Sequence, residues 1–207
     1  MDKGLFFTFE GIDGAGKSTQ LKFFQDWLKE QGLDVLIVRE PGGTVIGEKI
    51  REVLLNKKNG GMVPMTELLL FEAARAQITE EVIKPSLALG KVVICDRFYD
   101  STYAYQGYAR DMGSETVTYL NNLATAGLSP DMTFVLDIDV DFALERRVGR
   151  GEAADRMEAL GIAFQKEVRK GYLEAAGKEP ERIKVVDASG TPEEIFESIK
   201  KLAKEVL

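Results

Sequence analysis

The sequence predicts an α/β protein: a doubly wound parallel sheet of about five strands with helices on both faces. Two observations predict it. Short apolar runs alternate with longer amphipathic stretches along the whole chain, which is the signature of successive strand–helix units. The inner runs, such as Val92-Val93-Ile94-Cys95, are apolar at every position, as a strand must be when helices cover both of its sides. A length of 207 residues suffices for one well-buried domain, and no repeat or low-complexity segment divides it.

Leu5–Glu10 reads as the first strand, and Lys17–Gln31 as an amphipathic helix stopped by Gly32. Asp34–Arg39 is a second strand and Val45–Leu55 a helix. Thr66–Leu89 carries a helical period with Pro85 late in it, and Lys91–Cys95 is a third strand. A helix over Glu115–Ala126 precedes a strand at Met132–Ile138. Helices at Val140–Val148 and Asp155–Ala176, a last strand at Arg182–Val186 and a helix at Pro192–Val206 complete the chain. Asn56–Pro64 and Gly149–Ala154 interrupt the pattern and read as exposed loops. A single domain over residues 1–207 is therefore expected, with a mobile lid at about 147–157.

Composition removes whole classes of chemistry. There is no histidine, which excludes Ser-His and Cys-His hydrolases and His-ligated zinc. The one cysteine, Cys95, allows no internal disulfide or cysteine metal cluster and fits a reducing compartment. With 27 Lys+Arg against 34 Asp+Glu the formal charge is −7, which argues against a nucleic-acid partner but not against an anionic ligand in a local positive pocket. Neither a signal sequence nor a long apolar stretch appears, so a cytoplasmic protein without a membrane partner is expected.

The strongest motif is Gly11-Ile12-Asp13-Gly14-Ala15-Gly16-Lys17-Ser18, which satisfies G-x-x-x-x-G-K-[ST] between a strand and a helix. Glycines let backbone N–H groups curl around phosphate oxygens, and the helix N-terminus adds positive potential. Lys17 is placed to reach the β- and γ-phosphates of a nucleotide, and the Ser18 hydroxyl to ligate Mg²⁺. Residues 11–19, through Thr19, form the expected ATP-binding segment. A P-loop NTPase fold follows.

Two apolar strands end in an acid, at Asp96 and Asp137, and either could supply a second group near Mg²⁺. Asp96 is favoured because Arg97 follows it. No guanine-reading motif stands after a strand, so a GTPase switch is not expected. Arg146, Arg147, Arg150 and Arg156 crowd around the Gly149–Ala154 loop; they suit a lid over a transferring phosphoryl group, or are a solvated helix end. Arg75 lies on the apolar stripe of Leu68, Phe71, Ile78 and Val82, where a guanidinium needs an anionic partner. That partner is a buried carboxylate or a substrate phosphate. Tyr99, Tyr103, Tyr105 and Tyr108 follow Asp96-Arg97 and either shape a base or sugar pocket or pack a loop.

The chain closely resembles the thymidylate kinases, which are P-loop nucleoside monophosphate kinases. The resemblance runs from Phe7 to about Val186. It rests on Phe9-Glu10-Gly11 through Thr19, on Arg39-Glu40-Pro41-Gly42-Gly43-Thr44, on Leu70-Phe71-Glu72-Ala73-Ala74-Arg75, and on Asp96-Arg97-Phe98 with Ser101 to Gln106. It implies transfer of the ATP γ-phosphoryl group to dTMP with Mg²⁺, held by Ser18 and Asp96, in a homodimer. It also implies that Phe71 stacks on thymine, that Arg75 lies near the base and acceptor phosphate, and that Arg97 holds that phosphate. Thr102 and Gln106 would line the base pocket, Tyr105 would crowd the 2′ position, and Asp13 would approach the 3′-hydroxyl. Gly14 occupies the P-loop position where some members carry a catalytic arginine, so the chain resembles the bacterial lid-arginine type. Lys17, Arg97, Asp96 and Arg150 are the expected catalytic set, with Arg147 as second choice to Arg150, and Arg156 in Asp155-Arg156-Met157-Glu158 matches a lid pattern. A kinase for another pyrimidine monophosphate and an assembly or partitioning ATPase are the rival expectations.

Overall fold

A computed structural model describes residues 4–149 and 156–207. Among the described residues five strands form one sheet: β1 (Phe6–Glu10), β2 (Val35–Arg39), β3 (Val92–Asp96), β4 (Met132–Asp137) and β5 (Ile183–Asp187). All pairings are parallel, in the order β2-β3-β1-β4-β5. The chain leaves β1 in one direction for β2 and β3, then crosses to β4 and β5 on the other side. The order therefore reverses at β1, and the crevice beyond its carboxyl end is where such sheets bind ligands. Register fixes what meets there: Asp96 lies opposite Phe9 on one neighbour and Arg39 on the other.

Every residue of β1 is buried. Phe7 and Phe9 pack with Phe134 and Phe24, Phe7–Phe24 edge-on at 5.1 Å and Phe9–Phe134 tilted at 5.1 Å between centroids. Phe6 points the other way, onto Val93, Cys95, Ile78, Ile83 and Leu87. This alternation on a strand apolar at both faces explains the unbroken hydrophobic run. Helix α1 (Lys17–Glu30) turns Leu21, Phe24 and Leu28 inward. Thr44 caps α2 (Val45–Leu55) by accepting from Gly47 N at 2.9 Å.

The structure differs from the sequence expectation in three helical regions. In one, the helix expected from Asp155 begins only at Gly161, after turns at Arg156–Met157 and a 3₁₀ turn at Glu158–Leu160. The stretch expected as one helix over Thr66–Leu89 is α3 (Pro64–Ile78), a π-helical turn at Thr79–Ile83, and α4 (Lys84–Ala88). Pro85 cannot donate, and its ring crowds the carbonyl four residues back; a wider turn just before it accommodates both. The tyrosine-rich stretch, given no element from sequence, is α5 (Tyr99–Thr102) running into π-helical Tyr103–Ala109. The chain continues through α6 (Ser114–Thr125), α7 (Val140–Gly149), a short 3₁₀ turn at Glu158–Leu160, α8 (Gly161–Lys178) and α9 (Pro192–Ala203). Thr191 and Glu194 close a reciprocal capping box on α9.

Candidate active site

The P-loop links β1 to α1 and curls over the carboxyl edge of the sheet. At Gly11 (φ +131) a Cβ would stand 2.6 Å from the Leu136 carbonyl oxygen. At Gly14 (φ +93) it would run into the Ala143 carbonyl. A side chain at position 14 thus has no room, and an arginine cannot be supplied from that point of the loop. Lys17 folds back over the loop, its Nζ donating to Gly11 O at 3.1 Å and Ile12 O at 3.2 Å. Burial and the nearby Arg97 charge lower the Lys17 pKa.

A cavity of about 260 Å³ opens beside this loop. Asp13, Gly14, Gly16, Lys17 and Ser18 form one side, and Phe71, Thr102, Tyr105 and Gln106 stand with Asp96 and Arg97 around the rest. Most residues singled out from sequence are therefore brought together in one space. Thr19 lines a second recess of about 310 Å³ beyond the loop, with Gln20, Arg146, Gly190, Pro192 and Ile195. The Arg146 guanidinium donates to the Ala188 carbonyl at 3.0 Å.

Arg97 is held in a strained left-handed conformation (φ 68), of the kind that over-determined functional segments maintain. Its Nη2 donates to Asp13 Oδ1 at 2.7 Å and its Nη1 to Tyr172 Oη at 2.9 Å, and its guanidinium lies 5.3 Å from the Tyr105 ring centre. Burial alone would raise the Asp13 carboxyl, but Arg97 and Lys17 outweigh it and hold the pKa at about 2. Behind Arg97 stands Glu10, which accepts from Phe98 N and Ser101 Oγ at 2.6 Å and Tyr172 Oη at 2.8 Å. Sequence reading passed over Glu10 as the end of a strand.

The two strand-end acids separate clearly. Asp137 forms a two-point pair with Arg169, at 2.6 and 2.9 Å. Asp96 faces the cavity, and its Oδ1 is buried without a hydrogen-bond partner. A buried, unsatisfied carboxylate oxygen in a cavity that Ser18 also lines offers hard oxygen donors suited to a hard cation.

Arg75, expected near the base and the acceptor phosphate, stands directly behind the cavity wall, bonded to Glu40 and Thr102, which line it. It is 1% exposed and absent from the cavity lining. Its Nε donates to Glu40 at 2.9 Å, its Nη1 to Glu72 at 2.9 Å, Thr102 at 3.1 Å and Asn121 at 3.0 Å, and its Nη2 to Phe98 O at 3.1 Å. A guanidinium has five N–H donors, and these are committed. The anion that its apolar stripe demanded is a pair of buried carboxylates. Arg156, which matches a lid pattern in the sequence, is buried, donating to Glu67 Oε2 at 2.6 Å and to Leu54 O at 2.5 Å. Arg147 lines a recess with Ile12 and Asp13, and Arg150 lies outside the described residues.

Glu40, Pro41, Ser101 and Met157 also line the cavity but were not singled out as site residues. Glu40 and Pro41 belong to the Arg39-Glu40-Pro41-Gly42-Gly43-Thr44 run that carries the resemblance, but the sequence attaches no site role to them. Gly190 and Pro192 of the second recess follow β5 at the sheet's carboxyl edge, a position that could have flagged them.

The strand order and the loop define a P-loop NTPase fold, with a second cavity wall suited to a small ligand. The family model described as thymidylate kinase matches residues 9–199. The chain is 46% identical over 205 residues to the thymidylate kinase of Caldanaerobacter subterraneus subsp. tengcongensis, covering 99% of this chain and 97% of that one. It is 49% identical over 203 residues to that of Symbiobacterium thermophilum, covering 98% and 94%. A crystal structure of thymidylate kinase from Ehrlichia chaffeensis superposes with a TM-score of 0.79 at 34% identity, over 98% of this chain and 99% of that one. The chain belongs to the thymidylate kinase family.

Proposed function

We propose that the protein transfers the γ-phosphoryl group of ATP to the 5′-phosphate of dTMP, giving dTDP and ADP. The observation that carries this is the single cavity in which the phosphate loop, with Lys17 and Ser18, meets Arg97 and the Phe71, Tyr105 and Gln106 wall. A phosphate-binding loop alone describes any P-loop ATPase; an acceptor chamber opening onto it describes a kinase. The family's relatives favour neither rival reading.

In this reading Phe71 lays its ring against the base, and Thr102 and Gln106 meet its edge. Tyr105 crowds the 2′ position and Asp13 approaches the 3′-hydroxyl. Arg97, oriented by Asp13 and Tyr172, neutralises the acceptor phosphate. That phosphate is already largely ionised near neutral pH, so the absence of histidine costs nothing. Lys17 steadies the β- and γ-phosphates, and Arg150 completes the charge clamp from the lid. Catalysis is positioning and charge neutralisation around an in-line transfer.

Ser18 and Asp96 Oδ1 would hold Mg²⁺, which when bound supplies charge neutralisation on the phosphates. Among the described residues no group of three or more His, Cys, Asp or Glu is placed to hold a metal; Ser18 and Asp96 would hold the ion together with oxygens of the bound nucleotide. The protein acts in the cytoplasm as a homodimer, without membrane or nucleic-acid partner. No described helix is long and apolar enough to cross a membrane, and α3 and α6, which pack together, leave Leu69, Tyr119 and Leu123 about half or more exposed.

Lys17→Met tests the phosphate clamp. Turnover should fall by about two to three orders of magnitude, as when a charge-stabilising donor is removed, with the circular dichroism spectrum and melting curve retained. Near-wild-type turnover would remove Lys17 from the mechanism.

A further inference from the structure

Glu67 on α3 has no exposed surface, yet no part of the proposed mechanism uses it. Its Oε2 accepts from Arg110 Nη2 at 2.9 Å and Arg156 Nη1 at 2.6 Å. Its Oε1 accepts from Arg110 Nε at 3.1 Å and from Gln106 Nε2 at 2.8 Å. A carboxylate gripped by two guanidiniums offers only acceptors. The Gln106 amide beside it can then take one orientation: its NH₂ turns to Glu67, and its Oε1 is what remains for a ligand. Gln106 also lines the cavity.

We propose that Glu67 is a specificity-positioning residue: by locking the Gln106 amide it presents an acceptor to the base, selecting pyrimidines that carry an N3–H and rejecting cytosine. The inference rests on the reading above, that Gln106 meets the base. Thymine and uracil offer a donor at N3; cytosine offers an acceptor there. The two ends of a glutamine amide are nearly equal in size, so an unlocked Gln106 would turn over and donate to cytosine N3. Nothing in Gln106 itself prefers one base. The preference resides one residue further back, in a charge that cannot donate. Arg110 and Arg156 keep that charge in place, so the chain after the lid and the base pocket share one anchor.

The test is kcat/KM with ATP for dTMP, dUMP and dCMP, on the wild type, Glu67→Gln and Glu67→Asp. A glutamine at position 67 can donate as well as accept, so the Gln106 amide is freed; an aspartate still only accepts. The dTMP-to-dCMP ratio should fall at least about tenfold in Glu67→Gln, in the range set by mispaired buried hydrogen-bonding groups. The dTMP-to-dUMP ratio should hold, since both bases carry N3–H, and Glu67→Asp should keep the wild-type preference. If Glu67 merely ties helices together, Glu67→Gln will lower dTMP and dCMP turnover by the same factor, and the proposal is wrong. Should Glu67→Gln not fold, Gln106→Leu decides: it leaves the Glu67–Arg110–Arg156 cluster intact, and an unchanged dTMP-to-dCMP ratio would overturn the idea. A wild-type protein inactive on dTMP would instead sink the kinase reading, which the same assay reports separately.

Discussion

Glu10 shows how a single side chain can be central and still invisible in a sequence. Burial, with Asp100 adding to it, raises its pKa to about 7, against the pull of Arg97, Ser101 and the Phe98 N–H. Because the folded value exceeds the usual 4.5, the native state binds the proton more tightly than the unfolded chain. That contribution to stability is complete below about 4.5 and is lost as pH rises through about 7. Urea unfolding of wild type and Glu10→Gln between pH 4 and 8 should therefore show the wild type losing stability relative to the variant as pH rises. A pH-independent difference would mean that Glu10 titrates as an ordinary carboxylate. Lys17, Ser18 and Asp96 were legible because fixed spacing and strand ends announce them. Glu10 was not, because an acid closing a strand reads as a turn residue until Phe98, Ser101 and Tyr172 are seen around it.

At the level of elements, the regular strands and amphipathic helices followed from periodicity: α2 was bounded at the same residues, Val45–Leu55. Two of the segments that departed from periodicity carry π turns: Thr79–Ile83, inside a stretch expected as regular helix, and Tyr103–Ala109. A π turn has a different period from the 3.6-residue helix, and a stretch such as Tyr103 to Ala109, with Gly107 in it, presents no single apolar stripe. Helix α3 was read correctly as needing an anion at Arg75, but only the fold could say which. Arg75 now joins α3 to Glu40 beyond β2, to Phe98 beyond β3 and to Asn121 on α6. Arg75→Leu should accordingly cost about 3–5 kcal/mol in chemical denaturation, because Glu40 and Glu72 are left as uncompensated buried charges. A loss below about 1 kcal/mol, in the range of a surface ion pair, would show that the cluster relaxes without it.

For the whole molecule, strand–helix alternation predicted the parallel sheet, but not that the order reverses at β1 and so gathers the ends of β1, β2 and β3 around one crevice. Distance along the chain hides such meetings: Asp13 and Arg97 are partners across the sheet edge. The exposed apolar residues of α3 and α6 carry the proposed dimer. Leu69→Glu with Leu123→Glu should shift light-scattering mass from dimer to monomer, and a dimer that survives both would place the interface elsewhere. The account's central claim is that the phosphate loop and the base wall form one kinase site. Its most direct test is ADP release with ATP and Mg²⁺ as dTMP, dUMP, dCMP, dGMP, dAMP and UMP are added one at a time. Strong stimulation by dTMP is the predicted result; slow release indifferent to every acceptor would contradict it.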